Sequence, residues 1–227
     1  MMNKFWRYHS LRNNRVGFKM KNAALTLRTI YRLGLYLIGL AGTCIGVSLC
    51  LKSTMGVDAW NAAIAGLAGI TPISIGIWTI IIHLAFWIIS TLISRKIKLE
   101  SISPVLYKGL ILDIVKPLID NYLFAENIVS LFLLFFVGYL IIAISTGIYI
   151  STEYPRMPVD GLMFSLATFL HTDIKKARLI IEFVGFVIMI LVHGKFGVGT
   201  VIMTITCGYA FAICKSLSEK MLLNTQD

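Results

Sequence analysis

Beyond residue 32 the chain alternates long apolar runs with short polar breaks, and the runs fall into two length classes. Six of them, at 33–51, 75–93, 104–119, 128–150, 178–193 and 198–217, approach or exceed the ~20 residues that a helix needs to cross a bilayer core. Two shorter runs, 59–70 and 159–170, predict helices only ~18 Å long at a rise of 1.5 Å per residue, too short to cross. The pattern predicts an all-α fold, a polytopic membrane helix bundle with six spans and two short half-helices.

The same pattern is written twice, 99 residues apart. When 39–118 is laid on 138–217 without a gap, Gly39 meets Gly138, Asn61 meets Asp160, His83 meets Glu182, Lys96 meets Lys195 and Gly109 meets Gly208. Apolar composition alone produces some matches, so the glycine and polar pairs carry the inference. Repeat 1 occupies 33–119 and repeat 2 occupies 128–217. Paired short segments at corresponding places in two halves of a membrane protein point to a binding site between them.

Composition agrees: 57% of the 227 residues are hydrophobic and 14% charged, which excludes a soluble domain. The net charge of +10 is local, since eight of the 21 basic residues and none of the 11 acidic ones fall in 1–32. Beside a first span, such a basic tail marks the cytoplasmic side and touches anionic lipid; this is preferred here to nucleic-acid binding or a mitochondrial-type presequence. The first apolar run follows a long basic leader and lacks a small-residue cleavage site, so it is expected to stay as the first span rather than leave as a signal peptide. Cys44, Cys50, Cys207 and Cys214 all fall in expected spans, without CxxC spacing, and read as small packing residues.

Loop charge decides whether the short segments cross. If all eight crossed with the N-terminus inside, Arg95, Lys96 and Lys98 would lie outside and the loop with Asp120 and Glu126 inside. If the two short segments re-enter, both placements reverse, Lys175, Lys176 and Arg178 stay at the cytoplasmic end of their span, and both termini lie inside. Cytoplasmic loops are enriched in Lys and Arg, which favours re-entry. Three crossings per copy then make the copies face opposite ways, giving two inverted repeats. Asp58 can cap the first short helix, Pro158 suits the first turn of the second, and Gly69, Thr71 and Pro72 end the first. Half-helix amino ends inside the protein leave unpaired amides and a partial positive charge there.

The stretch YPRMPVDGLMFSLATFL, followed by KKARLIIEFVGFVI and GKFGVGTVIMTITCG, resembles the second half of the YczE/YyaS/YitT family of bacterial multi-pass membrane proteins. Pro158, Asp160, Gly161, Leu162 and Met163 match one family element, Arg178 and Glu182 a second, and Gly197, Gly199 and Thr200 a third. In the first half Gly56, Trp60, Gly66 and Leu67 match, whereas Ala59 stands where the family usually has proline and Asn61 where it usually has aspartate. Pro155 and Met157 replace the glycines that normally precede Pro158. The resemblance implies an integral protein of the bacterial cytoplasmic membrane, and it brings no assigned reaction or substrate.

Ionisable groups at membrane depth are costly, and Asp58, His83, Asp113, Asp160, Arg178 and Glu182 are the candidates. Arg178 and Glu182 share a helical face four residues apart and can form a structural pair; alternatively Glu182 accepts a proton or amine while Arg178 binds a carboxylate. Asp160 either caps its half-helix or belongs to a site with Asn61, and Asp58 reads first as a cap or rim residue. His83, alone on an aliphatic helix, reads as a hydrogen-bonded packing residue or a titrating relay. Trp60 and Trp78 read as packing or anchoring aromatics, and Lys108 and Lys116 as snorkelling or paired with Asp113. Gly197, Gly199 and Thr200 read as a tight turn opening the last span.

No catalytic constellation, metal-ligand set or cofactor loop is legible, so an enzyme is not expected. The expectation is a small secondary transporter of a small polar solute, with Asp160, Glu182, Arg178, Asn61, Asp58 and His83 lining a midplane substrate site. The alternative is a non-transporting accessory that assists assembly or secretion by binding another membrane protein or lipid. Six spans are also compatible with a homodimer.

Overall fold

A computed structural model describes residues 29–224, and most of the basic tail, 1–28, lies outside the described residues. Eight α-helices form among them: α1 Thr29–Lys52, α2 Ala59–Ile70, α3 Ile75–Ser94, α4 Ile102–Tyr122, α5 Ile128–Ser151, α6 Pro158–Phe169, α7 Ile174–Leu191 and α8 Val198–Asn224. A short 3-10 turn, Leu99–Ser101, precedes α4, and no strand occurs among the described residues. Helix α1 takes in Arg32, which the charge pattern assigns to the tail; its guanidinium pairs with Glu153 at 3.2 Å.

The helix limits follow from local chemistry. The Asp58 carboxylate and the Ser74 and Asn127 side chains accept the first amides of α2, α3 and α5. Pro158 opens α6, where a missing N–H costs nothing. Thr71, in extended backbone, ends α2, and its hydroxyl donates back to Leu67 O at 2.6 Å.

Four helices, α1, α3, α5 and the Val198–Met221 part of α8, are long and apolar enough to cross a membrane. Helices α4 and α7, expected to span over 104–119 and 178–193, run for 21 and 18 residues but are more polar. Lys108, Asp113, Lys116 and Asp120 interrupt α4, and Lys175, Lys176, Arg178 and Glu182 interrupt α7. Large apolar side chains still face outward on these elements, among them Leu110 and Ile114 on α4, Phe132 and Phe136 on α5, and Leu179 and Phe183 on α7. An apolar exterior this extensive suits lipid rather than water.

Helices α1 and α5 cross in opposite directions at the centre. Gly39 lies against Ser145 and Tyr149, Gly46 against Gly138 and Ile142, and Cys50 against Phe135. A methyl at Gly46 would stand 2.6 Å from the Gly138 carbonyl, so this approach requires hydrogen on both helices, as small-residue membrane interfaces do. Each central helix has a neighbour running parallel to it. The Cys44 thiol donates to Lys108 O at 3.5 Å and Lys52 Nζ to Asp120 O at 2.9 Å, joining α1 to α4. Tyr139 and Thr206 hydroxyls meet at 2.7 Å, and Gly147 lies against Cys214, joining α5 to α8.

The short helices cross over to the other half of the chain: α2 packs along α7, and α6 along α3. The main core gathers Cys44, Cys50, Leu112, Phe135, Met189, Met203 and Cys207 from both halves. The four cysteines are free thiols, three of them buried.

Candidate functional site

The amino end of α2 is built from three consecutive local interactions. Asp58 accepts the Asn61 amide N–H at 3.2 Å and its side-chain NH2 at 2.7 Å. Between them Trp60 projects outward from the helix, its indole N–H donating to Ile181 O on α7 at 3.0 Å. Its ring stands edge-on to Phe86 of α3 at 4.6 Å and covers Gly185, where a methyl would come within 2.7 Å of the indole. Trp60 thus wedges the start of α2 between α3 and α7.

This wedge sets the amino end of α2 against α7, close enough for the charge of Asp58, with that of Arg178, to act on the half-buried Glu182 carboxylate. Arg178 is exposed and acts on both Glu182 and Asp160. The four-residue spacing of Arg178 and Glu182 does not produce an ion pair. The ion pairs among the described residues are Arg32–Glu153, Lys116–Asp120 and Lys215–Glu219.

Asp160 sits in the first turn of α6 but does not cap it. The cap position is Met157, whose carbonyl accepts the Asp160 N–H at 3.1 Å, and Asp160 Oδ2 is buried without a hydrogen-bond partner. Three cations act on this carboxylate: Arg156 from the α5–α6 loop, Arg178 from α7 and Lys108 from α4. Arg156 carries no local signal that separates it from any loop arginine. It lies on the same side of the fold as Asp160 because the α5–α6 loop is tied to α1, where Tyr36 Oη donates to Pro155 O at 2.7 Å, but it forms no ion pair with the carboxylate.

His83 is buried and turned into its own helix. Its Nδ1 lies 2.8 Å from Thr79 O, a carbonyl that can only accept, so Nδ1 carries the proton. Its ring meets Phe86 edge-on at 5.6 Å.

Asp113 serves the amino end of α3. It accepts Gly76 N–H and the Ser74 hydroxyl, each at 2.7 Å, while Lys116 pairs with Asp120 rather than with Asp113. Trp78 binds the Thr71 hydroxyl at 2.7 Å, at the α2–α3 turn, away from Trp60.

A cavity of about 510 Å³ lies at the far end of α2, lined by Leu51, Ala65, Ile75, Val192, Lys195 and others. None of Asp58, Asn61, His83, Asp160, Arg178 or Glu182 lines it. A gap of about 20 Å³ lies beside the first turn of α6, between Trp87, Ser90, Pro158 and Gly161.

The site therefore has a definite layout. The charge of Asp58 acts on Glu182, those of Arg156 and Lys108 act on Asp160, and Arg178 acts on both carboxylates. Comparison with known proteins places the chain in a family and assigns it no reaction. The chain is 23% identical over 190 residues to the uncharacterized protein YyaS of Bacillus subtilis (strain 168), an alignment covering 83% of this chain and 94% of that protein. No solved structure matches it. The profile of a family of unknown function, DUF6198, matches residues 30–216, and the chain belongs to that family.

Proposed function

We propose that this protein is a small secondary transporter of the cytoplasmic membrane, built from two inverted repeats. The repeats are α1–α4 and α5–α8, with α4 and α7 crossing beside the four more apolar helices and both termini cytoplasmic. The observation that carries the reading is the exchange of short helices. The 99-residue offset that takes α2 to α6 also takes α3 to α7, and α2 packs on α7 as α6 packs on α3. The same offset turns the contact of Gly46 with Gly138 into that of Gly39 with Ser145, and the helices at this crossing run in opposite directions. Paired half-helices at the interface of inverted repeats are the setting in which transporters hold a polar solute.

The solute would sit between the amino ends of α2 and α6. Asp160 Oδ2 is a buried acceptor with no partner, a costly arrangement that a bound proton or donor group relieves. Glu182 and Asp58 offer further acceptors and Arg178 a donor. One half of the molecule rocking against the other would expose the site to each side in turn.

The test uses vesicles of defined orientation and a variant with Cys44, Cys50, Cys207 and Cys214 replaced by alanine. Asn61→Cys and Gly161→Cys report on the two half-helix ends, probed with a membrane-impermeant maleimide. Labelling of both positions from both faces supports the proposal. Labelling of both from one face only, or from neither, overturns it, and the second result favours the accessory reading.

A further inference from the structure

The cavity of about 510 Å³ has a chemistry of its own. The carboxyl-terminal part of α2 forms one wall, and its small residues Ala65, Gly66, Ala68 and Gly69 leave the room. Leu51 of α1, Ile75 of α3 and Val192 complete an apolar interior. Among the described residues, every charged or titratable side chain lining it is basic: Lys116, His193 and Lys195. Lys116 is already paired with Asp120. His193 and Lys195 are exposed, and their side chains make no hydrogen bond or ion pair among the described residues.

The backbone holds these two groups at the rim. His193 takes a left-handed φ of 54° just after α7, and Gly194 N–H bonds Met189 O at 2.8 Å, closing the helix and turning Lys195 back over the cavity. The carbonyl ends of α2 and α7 contribute roughly half a negative charge each. Lys52 and Lys195, at the same end, offset them with full charges.

We propose that this cavity binds a small amphiphilic anion. A carboxylate or phosphate head would meet Lys195 and His193, and a short hydrocarbon part would lie along Leu51, Ala65, Ile75 and Val192. The volume falls within the ~300–1,000 Å³ usual for small-molecule sites. The same head chemistry belongs to free organic anions and to anionic lipids, and the rim fits either. The site is distinct from the one between the half-helices, so it stands whether or not transport is demonstrated.

The test is equilibrium binding of radiolabelled octanoate to the full chain in phosphatidylcholine nanodiscs, with binding to empty nanodiscs subtracted. Saturable binding is expected, displaced by octyl phosphate and not by octylamine. The double variant Lys195→Gln and His193→Gln should weaken it by about tenfold, the combined loss of two exposed charge contacts. Lys195→Arg with His193 intact should retain it, which separates charge from misfolding. Ala65→Phe, which fills the apolar part, should abolish it. Octylamine competing as well as octyl phosphate, or a double variant that binds normally, overturns the proposal. Repeating the measurement in phosphatidylglycerol nanodiscs assigns the source: lost octanoate binding identifies a lipid headgroup as occupant, and unchanged binding a free organic anion.

Discussion

Replacing Asp113 by alanine should be among the most destabilising single changes at a polar position. The carboxylate reaches from α4 to the amino end of α3, accepting Gly76 N–H and the Ser74 hydroxyl at 2.7 Å each. A charge-assisted hydrogen bond contributes about 1.5–3 kcal/mol and loss of a helix cap costs about 0.5–2 kcal/mol. These effects share one site and do not simply add, so a loss of about 2–4 kcal/mol is expected. In a chain of this size each kcal/mol moves the melting temperature by about 2–4 °C, so Asp113→Ala should lower it by roughly 10 °C in detergent micelles. Ser74→Ala should cost about 1 kcal/mol, and the double variant less than the sum of the two singles. Asp173 supplies the control. It lies 99 residues after Ser74 and likewise precedes a helix, yet its side chain makes no capping bond to α7, so Asp173→Ala should shift melting by less than ~2 °C. If Asp113→Ala melts within ~2 °C of the parent, or if Asp173→Ala is as costly, the cross-helix cap is not what holds the start of α3.

Two further predictions concern packing. Gly46→Leu should destabilise the α1–α5 crossing by at least the ~1–3 kcal/mol of an overpacked core, read from its lower resistance to unfolding in a detergent titration, whereas Gly34→Leu, with open space at its Cβ, should be near neutral. Trp60→Phe keeps the ring against Phe86 but loses the bond to Ile181 O, and should cost about 1 kcal/mol; Gly185→Ala, which pushes against the indole, should cost at least as much.

Much of the fold was legible because helices are encoded locally. The run AWNAAIAGLAGI, with Asp58 before it and Thr71 after it, specifies a 12-residue helix without reference to the rest of the chain. The same holds for Pro158 opening α6 and for the apolar length of α5. The partners of the polar side chains were less legible, because spacing indicates who can meet and packing decides who does. Arg178 and Glu182 have pairing distance along the helix but do not pair, whereas Lys116 and Asp120, at the same spacing, do. Asp160, in the first turn of its helix, looked placed to cap, yet the Met157 carbonyl takes the amide and Oδ2 is left alone. Asp113 bonds to residues 37 and 39 positions away, on another helix.

The cavity escaped the sequence altogether. Leu51, Ala65, Ile75, Lys116, Val192 and Lys195 come from four helices and the loop after α7, and no periodicity links them. What the sequence determined by itself was the set of elements: their lengths, their ends and their apolar character, since these depend on residues within a turn or two of one another. What the tertiary structure alone decided was which polar ends meet, which carboxylate stays unpartnered and where space remains, since those depend on contacts between segments up to about 150 residues apart.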